Sequence, residues 1–357
     1  MLNTTQAVTT TQATPIIKGQ RSSSVRLPIT KSHLLDILSL VRPANSKGEQ
    51  VLVQYITDYL DALGVTPSTD GYGNIIVNLL PTHETTSRVM FTAHTDTVHR
   101  NAGITQHTQS LAYLDDKHEI VGLPQNSPSS CLGADDGTGC WILLSLIQAK
   151  IPALYVFFRA EEIGGLGSEF FRNDKANADL LPSLTHCISF DRKGYTDIVT
   201  EQWGGVCASD GFAEHLATLF KQVDNELNFS KATGTFTDSA NFTDIIAECT
   251  NISVGYDKQH TAGETQDVAF AERLVKALKR IDWLSLPHYR DPNAKDVLCR
   301  ATATYDDTWW YTDGYYDTDI DTHIHYLERL GAEYAEDLVF NDPYAAIELL
   351  TYLTKGH

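Results

Sequence analysis

The chain has 357 residues, of which 42% are hydrophobic, 10% are aromatic and 20% are charged. This length and composition predict a globular protein with a large core, built as one big domain or as one domain with an appendage. The formal net charge of −19 argues against nucleic-acid binding. The sequence also lacks an apolar run of about eighteen residues, so no membrane span is predicted.

Cysteine usage predicts the redox state of the protein. The six cysteines lie mostly in apolar surroundings and show no CxxC spacing. This pattern favours reduced thiols over a disulfide framework. We therefore expect free cysteines and a cytoplasmic location.

Composition divides the chain into three predicted segments. Residues 1–30 are rich in Thr, Ser and Gln and contain no Asp or Glu, which predicts a flexible tail. Residues 31–290 form the predicted main domain. Residues 291–357 are predicted to be an acidic, aromatic extension packed on that domain, because residues 301–357 hold twelve acids, two bases and the cluster TWWYTDGYY.

Helix and strand signals alternate along the main domain. Helices are predicted over 31–41 and 47–63, the second opened by a capping box from Ser46 to Glu49 and closed by Gly64. Later segments continue the pattern, with strand DGYGNIIVNLL and helices in TGCWILLSLIQAK, over 210–222 and in DVAFAERLVKALKRIDWL. Such alternation predicts an α/β fold, with a doubly wound, mostly parallel sheet and helices on both faces.

Acidic and histidine residues follow several of the hydrophobic runs. The runs SRVMFTA, ALYVFFRA and THCISF read as strands, and each is followed directly by His94, Glu161 or Asp191. Open parallel sheets place their active sites at the carboxyl ends of the strands. The complete polar set is His94, Asp96, Asp135, Asp136, Glu161, Glu162, Asp191 and His260.

Imidazole and carboxylate groups in this number predict a site for two metal ions. Zn²⁺ and similar ions bind these groups, and a catalytic site keeps one position open for water. With one bridging aspartate, two histidines and two further carboxylates, each ion would receive three protein ligands. We expect Zn²⁺, with Co²⁺ or Mn²⁺ as alternatives.

Five ordered runs carry these polar groups: FTAHTDTV, CLGADDGTG, RAEEIGGLGS, SFDRKG and QHTAGETQD. Together they resemble the motifs of the co-catalytic dizinc exopeptidases. This clan holds peptidase T, the carboxypeptidase G and deacylase group, and the single-domain bacterial aminopeptidases. The resemblance spans roughly residues 31–285 and implies the catalytic fold of that clan.

The resemblance also implies a role for each residue. His94 and Asp191 would bind one ion, Glu162 and His260 would bind the other, and Asp135 would bridge the two. This assignment leaves the second aspartate of the DD pair as the less favoured bridge.

Three further groups of residues have implied or predicted roles. Asp96 would orient the His94 imidazole, and Glu161 would be the general base that takes a proton from a water shared by the ions. Weaker candidates for substrate contacts are Asp238, Ser239 and Asn241. Outside the motifs, His99 and His107 are expected to have ordinary structural roles, with substrate contact as the less favoured alternative because both are close to His94 in sequence.

One departure from the two-domain members of the clan affects the expected substrate. Those members insert a lid domain of roughly a hundred residues between the fourth and fifth ligands. Here only 69 residues separate Asp191 from His260. We therefore expect a form without the lid, closest to the single-domain aminopeptidases. A monomer with a complete site of its own is the favoured oligomeric state.

These observations predict a metal-dependent hydrolase of peptide bonds, of the exopeptidase type. The expected substrate is a peptide or an acylated amino acid. An N-acyl amino acid deacylase with the same metal centre is one alternative, and a non-catalytic binding protein on the same fold is the other.

Overall fold

The computed structural model describes residues 28–100, 107–115, 117–202 and 205–293. Nearly all of the predicted tail over 1–30 and of the predicted extension over 291–357 lies outside these residues, as does Cys299. The other five cysteines are buried free thiols, as expected. None of the described helices combines the length and the apolar character needed to cross a bilayer.

The described residues form six α-helices and thirteen strands. The helices are α1 (Lys31–Leu38), α2 (Lys47–Ala62), α3 (Ala134–Gln148), α4 (Leu166–Asn173), α5 (Asp210–Val223) and α6 (Val268–Leu278). The strands are β1 (Ser68–Thr69), β2 (Ile75–Asn78), β3 (Val89–His94), β4 (Ala112–Asp115), β5 (Ile120–Gly122), β6 (Leu154–Phe158), β7 (His186–Arg192), β8 (Asp197–Gln202), β9 (Gly205–Val206), β10 (Ser230–Gly234), β11 (Glu248–Ser253), β12 (Tyr256–Asp257) and β13 (Thr265–Asp267).

The main sheet has the strand order β1-β2-β6-β3-β7-β11-β8-β10, with β9 paired to β8. Its centre is parallel, because β3 pairs in parallel with β6 and β7, and β7 pairs in parallel with β11. Antiparallel pairing occurs toward the edges, between β2 and β6 and between β8 and β11. This arrangement confirms the predicted mostly parallel sheet.

Both faces of the central strands are buried, as their continuous apolar sequences predict. Phe91 of β3 packs into the larger core, which also contains side chains of α1, α2, α3, α5 and α6. The adjacent residue, Met90, points into a second core with Phe171 of α4. Alternate residues therefore face opposite layers, and helices cover both sides of the sheet.

Helix α2 begins at the predicted position but with different cap contacts. The Ser46 side chain accepts a hydrogen bond from the Glu49 backbone N–H at 3.1 Å, as a capping box requires. The Glu49 carboxylate does not accept a hydrogen bond from the Ser46 backbone N–H, which a full capping box would also require. It accepts from the Asn45 backbone N–H and forms a partly buried ion pair with Arg159 at 2.8 Å.

A second, four-stranded antiparallel sheet with the order β12-β13-β5-β4 was not predicted from the sequence. Its strands have only two to four residues each, too few for a clear alternation of apolar and polar side chains. The turn between β12 and β13 carries His260. This small sheet therefore places one of the expected ligands over the carboxyl end of the main sheet.

Candidate metal centre

The expected ligands come from five different parts of the chain. His94 is the last residue of β3, and Asp191 is near the end of the neighbouring strand β7. Glu162 lies just beyond β6, and Asp135 lies in the first turn of α3. With His260 from the small sheet, these side chains meet at the carboxyl edge of the parallel strands, where such folds bind their ligands.

Asp135 lies between the two histidines. Its Oδ1 is 3.1 Å from Nε2 of His94, and its Oδ2 is 3.2 Å from Nε2 of His260. Each histidine also has a second carboxylate nearby. Nε2 of His94 is 3.7 Å from Oδ1 of Asp191, and Nε2 of His260 is 3.3 Å from Oε2 of Glu162. The site thus consists of two ligand groups that share one aspartate.

The neighbouring Asp136 is engaged elsewhere. Its Oδ2 accepts a hydrogen bond from the backbone N–H of His94 at 3.1 Å, and its Oδ1 accepts from the backbone N–H of Gly139 at 2.8 Å. An oxygen of Asp136 still lies within 4.8 Å of ligand atoms of His94 and Asp191. Both oxygens of Asp136 thus accept hydrogen bonds from backbone N–H groups, whereas the oxygens of Asp135 lie next to imidazole nitrogens.

The electrostatics of the site favour a bound cation. Burial and neighbouring carboxylates raise the pKa of Glu162 to about 8 and the pKa of Asp191 to about 6. Burial also raises the pKa of Glu161 well above its usual range. Carboxylates crowded in this way need positive charge to remain ionised.

The donor set fits divalent metal ions. Imidazole nitrogen and carboxylate oxygen are the preferred protein ligands of zinc and of related metals. In addition, Oε1 of Glu162 is buried and has no hydrogen-bond partner among the described residues. A bound cation would supply that partner. These residues therefore suit the metal that the resemblance implies.

Asp96 contacts both the histidine and the loop that carries the glutamates. Its Oδ1 is 3.5 Å from Nδ1 of His94. Shorter contacts join its carboxylate to the backbone, because Oδ1 accepts from the Glu161 N–H at 3.0 Å and Oδ2 accepts from the Glu162 N–H at 3.1 Å. Asp96 thus fixes the backbone of the loop that carries Glu161 and Glu162, in addition to facing the His94 imidazole.

Glu161 faces the centre without being close enough to the imidazole to bond it. Its Oε2 is 3.9 Å from Nε2 of His94. The residue before it, Ala160, has a φ of 59°, a left-handed conformation that is uncommon for non-glycine residues. The backbone therefore turns sharply at the end of β6 and presents Glu161 to the ligand groups.

Three residues that the sequence analysis missed hold Asp191 in place. Thr237 Oγ1 donates to Asp191 Oδ2 at 2.7 Å, and the Tyr256 hydroxyl donates to Oδ1 at 3.1 Å. The Asn251 side chain pairs with both the N–H and the carbonyl of Asp191. Of these three residues, only Thr237 could have been suspected from the sequence, because it directly precedes Asp238, a candidate for substrate contact.

The three weaker candidates lie beside the ligand groups, on the 3₁₀ turn Asp238–Phe242. Asp238 and Ser239 are buried, and Ser239 Oγ accepts from Gln202 Nε2 at 3.2 Å. Asn241 is half-buried and donates to Ser168 Oγ at 2.8 Å. Their contact with a substrate stays a prediction.

His99 is buried and contacts two other side chains of the protein. Its Nδ1 contacts Thr97 Oγ1 at 2.5 Å, and its Nε2 contacts Gln109 Oε1 at 3.2 Å. Burial lowers its pKa to about 4, so the ring is neutral near pH 7. His107 is half-buried, and its backbone carbonyl accepts a hydrogen bond from the Val41 N–H at 3.0 Å.

The doubly wound sheet and the histidine and carboxylate cluster at its carboxyl edge define a class, the α/β metal-dependent hydrolases. The sequence profile of peptidase family M28 matches residues 74–269, more than half of the chain. The protein belongs to this family and is a metal-dependent peptidase. The comparison with curated proteins found no match.

Solved structures of peptidases share the fold. The TET1 peptidase of Pyrococcus horikoshii is 14% identical, with a TM-score of 0.54 over 70% of this chain and 98% of that chain. A tripeptidase from Staphylococcus aureus is 13% identical, with a TM-score of 0.53 over 71% of this chain and 98% of that chain. The TET1 peptidase is described as able to assemble into a tetrahedron or an octahedral shell. For the present chain, the monomer stays a prediction.

Proposed function

We propose that this protein is an aminopeptidase-type exopeptidase whose centre binds two divalent ions, with Zn²⁺ as the expected metal. The position of Asp135 is the observation that carries the proposal. Its two oxygens lie 3.1 and 3.2 Å from the Nε2 atoms of two histidines, and each histidine has another carboxylate nearby. A carboxylate with one oxygen in each ligand group is suited to bridge two ions.

Five residues would hold the ions. His94 and Asp191 would bind one ion, Glu162 and His260 would bind the other, and Asp135 would contribute to both. When bound, the ions would supply Lewis acidity and a water molecule of lowered pKa. The unpartnered Oε1 of Glu162 and the crowding of the carboxylates support this assignment.

Glu161 would act as the general base and acid. It is buried, its Oε2 lies 3.9 Å from Nε2 of His94, and the Asp96 carboxylate fixes its backbone N–H. From this position it would take a proton from the attacking water and pass it to the amine that leaves when the peptide bond breaks. Asp96 would also keep the His94 imidazole oriented.

The missing lid supports the exopeptidase type that acts on free amino ends. Among the described residues, the interval between Asp191 and His260 forms strands β8, β9, β10 and β11 of the main sheet together with helix α5. None of these elements forms a separate domain over the cleft. The two peptidase structures above match this chain over almost their whole length, as expected for a related catalytic domain.

A substrate panel tests the proposal. Purified protein would be stripped of metal with a chelator, reloaded with Zn²⁺, Co²⁺ or Mn²⁺, and assayed on peptides with free and acetylated amino ends and on N-acyl amino acids. We expect metal-dependent release of amino-terminal residues. Faster hydrolysis of N-acyl amino acids would instead identify a deacylase. A fully metal-loaded protein that cleaves none of these substrates would contradict the proposal.

A further inference from the structure

Glu264 lies outside the ligand set but contacts the loop that carries Asp135. It is buried, and its carboxylate accepts four backbone hydrogen bonds from consecutive residues. Oε2 accepts from the N–H groups of Leu132 and Gly133 at 2.8 and 2.9 Å. Oε1 accepts from those of Ala134 and Asp135 at 2.8 and 3.1 Å. This side chain therefore fixes the backbone of residues 132–135.

These four N–H groups belong to the loop that leads into α3, because Asp135 and Asp136 still have non-helical backbone angles. Buried backbone N–H groups of this kind need acceptors, and the Glu264 carboxylate supplies them. On the other side of the loop, the buried Arg42 donates to the carbonyl oxygens of Gly133 and Thr95. The loop is thus held by the Glu264 carboxylate on its N–H side and by the Arg42 guanidinium on its C=O side.

Glu264 also belongs to the segment that carries His260. Both residues lie in the connection between β12 and β13, four positions apart. The Glu264 contacts therefore join the His260 segment directly to the loop of Asp135, across 129 residues of sequence. His260 and Asp135 would have to keep a fixed relative position in order to bind the same proposed ion.

We propose that Glu264 is a positioning residue that sets the place of Asp135 relative to His260. This inference rests on the proposed metal centre. Glu264 itself would not contact the ions, because its two oxygens are occupied by the four N–H groups. Replacing residues that orient metal ligands typically weakens metal binding by about 10-fold to 100-fold.

The chain provides a matched control in Glu248. This carboxylate is also buried, and it also accepts four hydrogen bonds, from the N–H and hydroxyl of Ser209 and from the N–H groups of Tyr289 and Arg290. It lies at the first residue of β11, at the opposite end of the parallel strands from the metal ligands. A general effect of losing a buried carboxylate should therefore appear at both positions.

The experiment measures binding of Zn²⁺ and Co²⁺ to chelator-treated protein by titration calorimetry, with the visible spectrum of Co²⁺ as a second readout. Wild type is compared with Glu264→Gln, Glu264→Asp and Glu248→Gln. The glutamine keeps the size of the side chain and removes its charge. The aspartate keeps the charge and is too short to reach all four donors.

We expect both Glu264 variants to bind the weaker ion at least about tenfold less tightly and to show an altered Co²⁺ spectrum. Glu248→Gln should melt at a lower temperature but bind metal as wild type does. Weakening in Glu264→Gln alone would show a charge effect and overturn the positioning role. Wild-type binding in both Glu264 variants, or equal weakening in Glu248→Gln, would also overturn it.

Circular dichroism first establishes that each variant is folded. If Glu264→Gln does not fold, Glu264→Asp retains the test, because it keeps a carboxylate beside the loop of residues 132–135. A wild-type protein that takes up no divalent ion would overturn the proposed metal centre together with this inference. A wild type that binds two ions beside unaffected Glu264 variants would overturn this inference alone.

Discussion

The two ends of the parallel strands bury histidines in opposite electrostatic settings. At the carboxyl end, burial opposes protonation of His94, but the carboxylates of Asp135 and Asp191 outweigh it and raise its pKa well above the usual value. At the amino end of β7, burial lowers the pKa of His186 to about 4. The hydrogen-bond partners of His186 are the uncharged Thr185 hydroxyl and Pro287 carbonyl, and the ring of His288 lies nearby, with the two ring centroids 6.1 Å apart. The imidazole of His288 also opposes protonation of His186.

Buried carboxylates differ in the same way between the two ends. Glu248, the register partner of His186 on β11, has four hydrogen-bond donors around it. Glu162 at the other end has an oxygen without a partner among the described residues. A buried carboxylate with enough donors serves the structure, whereas one without them is suited to bind a cation. This contrast separates the structural end of the sheet from the proposed catalytic end.

The largest expected effect is on turnover. Glu161→Gln should lower kcat about a hundredfold or more and retain bound metal, because the amide cannot accept the proton of the water while the proposed ligands remain. Steady-state kinetics and metal analysis of the purified variant test this. The exposed Glu214, changed to Gln, serves as the control. Near wild-type turnover in Glu161→Gln would remove Glu161 from the role of base.

The next prediction compares the metal content of variants at the two adjacent aspartates. Asp135→Ala should lose more metal than Asp136→Ala, because a bridging carboxylate serves both ions and its loss exposes their mutual repulsion. Asp136→Ala should mainly lower stability, since it removes the acceptor of the His94 and Gly139 N–H groups. Metal content by mass spectrometry and melting temperature measure both outcomes. The reverse order of metal loss would assign the bridge to Asp136.

Removing the metal should destabilise the carboxyl end of the sheet. At a free ion concentration a hundredfold above its dissociation constant, one bound ion adds about 2.7 kcal/mol to the free energy of unfolding. Urea unfolding with and without chelator should therefore differ by a few kcal/mol in wild type. In Asp135→Ala the difference should be much smaller. Equal stability of loaded and stripped wild type would argue against a metal centre here.

The last effect concerns pH and the amino end of the parallel strands, away from the proposed metal centre. His186 has a pKa of about 4 in the folded state and an ordinary value of 6.5 when unfolded. Between these values the unfolded state binds more protons, so the His186 contribution is complete above pH 6.5 and is lost as the pH falls toward 4. The loss should be on the order of 3 kcal/mol. His186→Gln should flatten this part of the stability profile, measured by urea unfolding at pH 7 and at pH 4.5.

The sequence predicted the main elements well, because their signals are local. Helix α5 was expected over 210–222 and spans Asp210–Val223, and α2 was expected over 47–63 and spans Lys47–Ala62. The four-stranded antiparallel sheet was missed because its strands are short and because one of its three pairings joins distant parts of the sequence. In that pairing, strand β5 pairs with β13.

By itself, the sequence determined the α/β class and the identity of the polar groups at the strand ends. Apolar runs that end in His94, Glu161 or Asp191 are local patterns, and a parallel sheet brings such ends to one edge. Only the tertiary structure decided which carboxylates are placed to bind a metal ion and which support the backbone. Asp135 faces two histidines, whereas Glu264 accepts four N–H groups from residues 129 to 132 positions away. Carboxylates share the same chemistry, and only the donors or cations that folding places around them distinguish a ligand from a structural support.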